Sequence, residues 1–153
     1  MQADARHHRL RGFDYSLAGP YFVTICMLDR RRVFSNSKIA AIAQNELIRF
    51  REKGWYWIYA FAIMPDHVHL LLRLREQKRT LGIVVATLKS SILYRSRRAG
   101  VDFNWQDDFH DHIVRTSERL EDVVGYIIRN PERAGLVKQG EAFPFAQVVD
   151  PFR

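Results

Sequence analysis

The chain has one cysteine, Cys26, among its 153 residues. A single thiol closes no disulfide within the chain, so a small disulfide-stapled scaffold is excluded. No apolar run is long enough to span a bilayer, and the start, Met1 to Arg11, is polar and rich in Arg and His where a secretory leader would be apolar. These absences lead us to expect a cytoplasmic protein with no membrane partner. Low-complexity tracts, solenoid-period repeats and Pro/Gly/Ser-rich linkers are also missing. Residues 1–153 therefore read as a single domain.

Apolar residues make up 47% of the chain, enough to bury a core and to exclude general disorder. Lys and Arg number 24 against 17 Asp and Glu, a net charge of +7. That excess favours a polyanionic partner.

Residues 21–28, YFVTICML, are β-branched and aromatic and predict a strand. Ser37 is placed to cap a helix to about Glu52, where Gly54 stops it. A second strand is expected over Trp55 to Met64 and a third over His67 to Leu74, separated by Pro65 and Asp66. Thr80 caps a second helix to about Arg98, with Leu81, Val85, Leu88 and Ile92 at helical steps. A short strand near Phe109 to Val114 follows. A third helix begins at a Thr116 or Ser117 cap and is expected to end at Asn130-Pro131. The tail reads as turns. The order β-α-β-β-α-β plus a helix predicts an α+β fold of the ferredoxin-like, split βαβ kind. Its sheet is mainly antiparallel, with helices on one face and a C-terminal helix carrying Tyr126.

His67 and His69 flank Val68 on the third strand, and strand alternation puts both on one face with Leu71. At ~3.3 Å per residue their Cα atoms lie about 7 Å apart, close enough for two imidazoles to converge on one cation. The ordinary reading of the same spacing is a pair of half-exposed strand histidines. Two ligands also leave a coordination shell incomplete. On the last helix, Leu120, Val123, Val124, Ile127 and Ile128 share one apolar arc. Tyr126 falls about 130° from its centre, beside Arg119, Asp122 and Asn130. A displayed tyrosine is a candidate nucleophile, and Asn130, four residues on, shares its face. Their plain readings are a helix-rim aromatic and a helix-ending Asn-Pro pair.

Lys89, Arg95, Arg97 and Arg98 crowd the end of the second helix, and Trp105 follows. With Arg119 they form a candidate nucleic-acid surface, since cations mixed with aromatics suit a phosphate backbone and stacked bases. Arg73, Arg75, Lys78 and Arg79 add a second basic group. Helix-end cations and solubilising loops would look the same.

Three ordered blocks resemble one known family. Residues 60–72, AFAIMPDHVHLLL, resemble the His–apolar–His (HUH) motif of single-tyrosine transposases. Trp105-Gln106 with residues 109–115, FHDHIVR, resembles the block after that family's long helix. Residues 125–137, GYIIRNPERAGLV, resemble the tyrosine-bearing helix of the REP-associated branch. The resemblance implies that Tyr126 attacks a DNA phosphate while His67, His69 and Asn130 hold a divalent cation, Mg or Mn. It also implies single-stranded or hairpin DNA as partner and allows either a homodimer or a monomer. Asp66 stands where many relatives carry Asn, and both are turn formers, so little effect is expected. His110 and His112 form a second strand-spaced pair, for which a supporting role is expected. Other readings remain open on the residues themselves: a non-catalytic, domesticated nucleic-acid-binding protein, a metal-dependent hydrolase using water, or a structural basic protein.

Overall fold

Strands with apolar residues on both faces must be covered on both. β1 (Tyr21–Cys26), β2 (Tyr56–Met64) and β3 (His67–Leu74) are of this kind; β1 and β2 are buried almost throughout and β3 from Val68 to Leu72. The computed structural model, which describes residues 19–75, 79–114 and 120–152, joins them with β4 (His110–Ile113) and β5 (Ala146–Val148). The sheet order is β4-β1-β3-β2-β5, and every neighbouring pair is antiparallel. This is the expected ferredoxin-like order, extended by β5.

Period-two alternation divides the sheet's residues between two cores. Val23, Ile25, Val68 and Leu70 pack with Ile39, Leu47, Leu88 and Ile92 of α1 (Ser37–Glu52) and α2 (Leu81–Arg98). Phe22, Ala62, Met64 and Leu71 face the other way and pack with Val123 and Ile127 of α3 (Leu120–Arg133). Helices thus lie on both faces, two against one. A bulge between Ile58 and Ala60 turns both Tyr59 and Ala60 toward the α3 side. No helix among the described residues is long and apolar enough to cross a membrane.

Several boundaries differ from the sequence expectation. Asn36, not Ser37, caps α1: its side chain accepts from the Lys38 N–H. Thr80 caps α2 as predicted, accepting from the Ile83 N–H. The Thr116 or Ser117 cap lies outside the described residues. α3 does not stop at Asn130-Pro131 but runs to Arg133 with Pro131 inside it. So late in a helix a proline forfeits one ladder bond, and here its ring is buried. The true stop is Gly135, at φ +75°, with Leu136 N–H bonded to Pro131 O and Gly135 N–H to Glu132 O. The tail also holds a strand. β5 is three residues long, and Asp150 beyond it accepts from the Ile58 N–H at 2.8 Å while pairing with Arg51.

Candidate nucleic-acid cleavage site

The register of β1 on β3 sets the site. His67 lies opposite Cys26 and His69 opposite Thr24, which puts the two histidines on the α3 face beside Phe22 and Leu71. Their Nε2 atoms stand 3.1 Å apart and their ring centroids 4.6 Å apart. With metal–nitrogen bonds of about 2.1 Å, two neighbouring ligands of one ion are about 3.0–3.4 Å apart. The imidazole pair already has the spacing of two ligands to a common cation. Among the described residues no group of three His, Cys, Asp or Glu is placed to hold a metal. A cation held there would need an amide such as that of Asn130, water or substrate oxygen to complete its shell.

Each imidazole is braced from behind. Asp66 Oδ1 lies 2.6 Å from His67 Nδ1, and Arg30 Nε donates to Asp66 Oδ2 at 2.9 Å. Thr24 Oγ1 lies 2.9 Å from His69 Nδ1. Burial lowers the His67 pKa against the pull of Asp66. Burial also drives His69 down, to about 3, aided by the charges of His67, Arg133 and Arg30. Burial works against the Asp66 carboxylate too, but bonds from His67 and Arg30 outweigh it and hold the group below its usual range. Both rings are therefore neutral near pH 7, the protonation state a cation requires. The contacts fix one consistent proton arrangement. His67 donates from Nδ1 to Asp66, His69 donates from Nε2 to His67, and Thr24 donates to His69 Nδ1. A cation between the rings needs the other His69 tautomer, which the Thr24 hydroxyl accommodates by turning from donor to acceptor.

The loop that delivers Arg30 is strained. Asp29 and Arg30 both have φ of 55°, in the left-handed region that non-glycine residues seldom occupy. Met27 N–H to Asp66 O at 2.9 Å and the Arg30–Asp66 pair hold this conformation against the β2–β3 turn.

α3 lays Tyr126 against His69 and Phe22. Its ring centroid is 5.9 Å from Phe22 and 6.1 Å from His69, and the residue is 38% exposed. The tyrosine thus lies against His69 while part of it stays open to solvent. Arg133, two turns on, places its guanidinium 4.3 Å from the ring centroid and donates to the Tyr126 carbonyl. Asn130 is half-buried between them. Four residues advance a helix ~6 Å and two advance a strand ~6.6 Å. With Tyr126 at His69 and Leu136 at Pro65, the helix carries Asn130 toward the level of His67.

The second histidine pair is on the same face. His110 lies opposite Thr24 and His112 opposite Phe22, and directly opposed antiparallel residues share a face. One strand, β1, separates them from His67 and His69. The basic residues of α2 are elsewhere. Lys89 Nζ donates to the Gln106 and Asp108 carbonyls, and Trp105 Nε1 donates to Lys89 O. Arg95 pairs with Glu46 and Arg97 with Asp102, while Arg98 lies over Tyr94. All sit with α2, across the sheet from Tyr126. Arg119 lies outside the described residues.

Sequence reasoning missed Thr24, Arg30 and Arg133. Strand register brings in Thr24 and the loop conformation brings in Arg30, and neither is written locally in the chain. Arg133 was accessible, since seven residues make about two helical turns and return it to the Tyr126 face.

A model of the family described as "Transposase IS200 like" matches residues 18–130. A Haemophilus influenzae protein with the provisional name REP-associated tyrosine transposase is 27% identical over 144 residues, covering 87% of this chain and 81% of that one. An Escherichia coli K12 REP-associated tyrosine transposase is 24% identical over 132 residues, covering 86% and 78%. In fold, the chain is similar to a REP-associated tyrosine transposase solved bound to a REP hairpin. The TM-score is 0.73 at 24% identity, over 90% of this chain and 81% of that one.

Proposed function

Because the chain belongs to the IS200-like transposase family, we propose that it cuts and rejoins single-stranded DNA, with Tyr126 as nucleophile. The observation that carries this reading is the edge contact of the Tyr126 ring with His69, 6.1 Å between centroids, beside a neutral imidazole pair with ligand spacing. Held by His67, His69 and Asn130, a divalent cation, Mg or Mn, would supply Lewis-acid polarisation of the scissile phosphate.

The phenol oxygen of Tyr126 attacks phosphorus, and the bond from phosphorus to the 3′ oxygen breaks. The proton lost by the phenol ends on that 3′ oxygen. The products are a 5′-phosphotyrosine and a free 3′-hydroxyl, so the phosphodiester energy is conserved and a 3′-hydroxyl can reverse the step at a new junction. Arg133 lies against the tyrosine ring and would bring a positive charge to the phosphate.

The net charge of +7 suits such a polyanion. The hairpin bound to the structural relative makes a hairpin with single-stranded flanks the first substrate to try. His67, His69 and Tyr126 meet within one chain, so the set needs no second copy. A homodimer would be an added property. Action on chromosomal DNA would place the protein in the cytoplasm.

The test is incubation with a flanking palindromic hairpin carrying single-stranded extensions, plus Mg or Mn, followed by denaturing gels. A covalent protein–DNA band lost in Tyr126→Phe and in EDTA is expected. Cleavage that persists in Tyr126→Phe would indicate hydrolysis by water, and hairpin binding without cleavage in wild type would indicate a binding module.

A further inference from the structure

A cleft of about 230 Å³ opens beside the candidate site, and none of the residues assigned above works in it. Phe34, Pro65, Leu136, Phe143 and Phe145 line it, with the exposed Arg32 at its mouth. The walls are firmly held. Phe34 N–H bonds to Pro65 O at 2.9 Å, and Ile63 N–H bonds to Phe145 O at 2.8 Å. Phe143 meets Phe145 edge to face, with centroids 6.0 Å apart, and both rings are only half-buried. Half-buried aromatic rings around an open cleft offer flat apolar faces that a partner can cover.

Position indicates the partner. Pro65 precedes His67 by two residues and sits in the two-residue turn that joins β2 to β3, where Met64 pairs with His67. Leu136 closes the helix that carries Tyr126. The cleft thus lies at the turn that leads into His67 and beyond the end of the Tyr126 helix, on the side where a nucleotide next to the cleaved phosphate would leave the site. We propose that it takes one unstacked base of single-stranded DNA beside the scissile phosphate, stacked on Phe143, with Arg32 pairing with the adjoining phosphate. The charge of Arg32 complements a phosphate, and aromatic faces suit any base, which is how single-stranded nucleic acid is gripped without a duplex. This inference rests on the DNA reading above and adds to it the position at which the strand is held.

The experiment uses a hairpin oligonucleotide from the flanking palindrome, with single-stranded extensions. A series is made in which each member has one abasic position. The series is titrated by fluorescence anisotropy in EDTA against wild type, Phe143→Ala, Phe143→Trp and Arg32→Ala, with thermal melts to confirm folding. In wild type, one position in the extension should weaken binding about tenfold or more when its base is removed. Phe143→Ala should bind intact DNA about tenfold more weakly and be indifferent to that abasic position. Phe143→Trp, which keeps a stacking face, should restore the wild-type pattern. Arg32→Ala should weaken binding while leaving the abasic position recognisable. Tight wild-type binding with a flat abasic profile, or an unchanged profile in a folded Phe143→Ala, overturns the cleft assignment and leaves the DNA reading intact. Absence of wild-type binding to any hairpin or single strand overturns both.

Discussion

Asp66 Oδ1 lies 2.6 Å from His67 Nδ1, and the same carboxylate takes the Arg30 Nε–H at 2.9 Å. A carboxylate behind a metal-facing histidine fixes the tautomer that presents Nε2 and raises the ring's basicity. On sequence alone Asp66 was merely a turn former. Its contacts give it a second duty. Asp66→Ala should weaken Mn binding by about 10–100-fold, measured by calorimetry or by electron paramagnetic resonance of free Mn. Asp66→Asn keeps an acceptor for His67 but loses the charge that holds Arg30, so its loss should be smaller. Hairpin binding in EDTA should be unchanged in both. Equal Mn affinity for Asp66→Ala and wild type would show that the contact does not serve the imidazole.

The depressed pKa of His69, about 3, makes stability depend on pH when no metal is bound. The unfolded imidazole takes up a proton near pH 6.5, and the folded one resists until about 3. Between those values the unfolded state binds more protons, so stability is fully present above pH 6.5 and is lost as pH falls. One such group contributes a slope of at most about 1.4 kcal/mol per pH unit. His67 and Asp66 are shifted in the same direction, so the measurement must isolate His69. Urea unfolding of wild type and His69→Gln in EDTA, from pH 7.5 to 4.5, should show the slope shrinking in the variant. Parallel curves would mean that His69 titrates normally in the folded protein.

Arg133 makes a cation–π contact on Tyr126, 4.3 Å from the ring centroid, and donates to the Tyr126 carbonyl. Charge aimed at a developing phosphorane is worth about 10²-fold or more at some enzyme sites. Arg133 is exposed, which reduces its effect. Arg133→Ala should slow single-turnover formation of the covalent adduct by at least about tenfold, with a smaller change in hairpin affinity. Arg133→Lys keeps the charge but loses the planar stack, so it should recover part of the rate. A rate unchanged in Arg133→Ala would reduce the contact to helix-end packing.

The parts of this protein visible from the chain are those written locally. Apolar runs locate β1, β2 and β3, and helical steps after the Thr80 cap locate α2. The alternation of residues 67–72 correctly predicts that His67, His69 and Leu71 share a face, now seen under α3. What stayed hidden depends on register. The Thr24–His69 bond exists because β1 pairs with β3 in one particular phase, and no periodicity states that phase. β5 was lost among turn residues because three residues give no measurable alternation, and its pairing with β2 is long-range. Pro131 misled in the other direction. Its usual cost falls on a helix interior, whereas here Gly135 sets the end four residues later. The basic residues of α2 were legible as charge but not as partners, which the fold supplies from the segment after α2 for Lys89 and Arg97 and across the α1–α2 seam for Arg95.

That seam is held by Glu46, whose side chain is 3% exposed and which pairs with Arg49 at 2.8 Å and Arg95 at 3.0 Å and also meets Ser91. Burial disfavours its charge, but the bonds from Arg49 and Ser91 outweigh that and keep its pKa below the usual carboxylate value. A carboxylate lowered on folding stabilises above its unfolded pKa, near 4.3, and the contribution is lost as pH falls further. Removing one partner of a buried pair costs about 3–5 kcal/mol when the other charge is stranded. Arg49 and Arg95 are 35% and 49% exposed and can return to water. The cost of Glu46→Gln at pH 7 should therefore be smaller, about 1–2 kcal/mol, and should shrink at pH 3.5, which lies below the unfolded carboxylate's pKa. α1 and α2 lie across the sheet from Tyr126, so adduct formation by the folded variant should match wild type. A loss of the same size at both pH values would assign the effect to packing, and a slower adduct would show that the seam is coupled to the cleavage face.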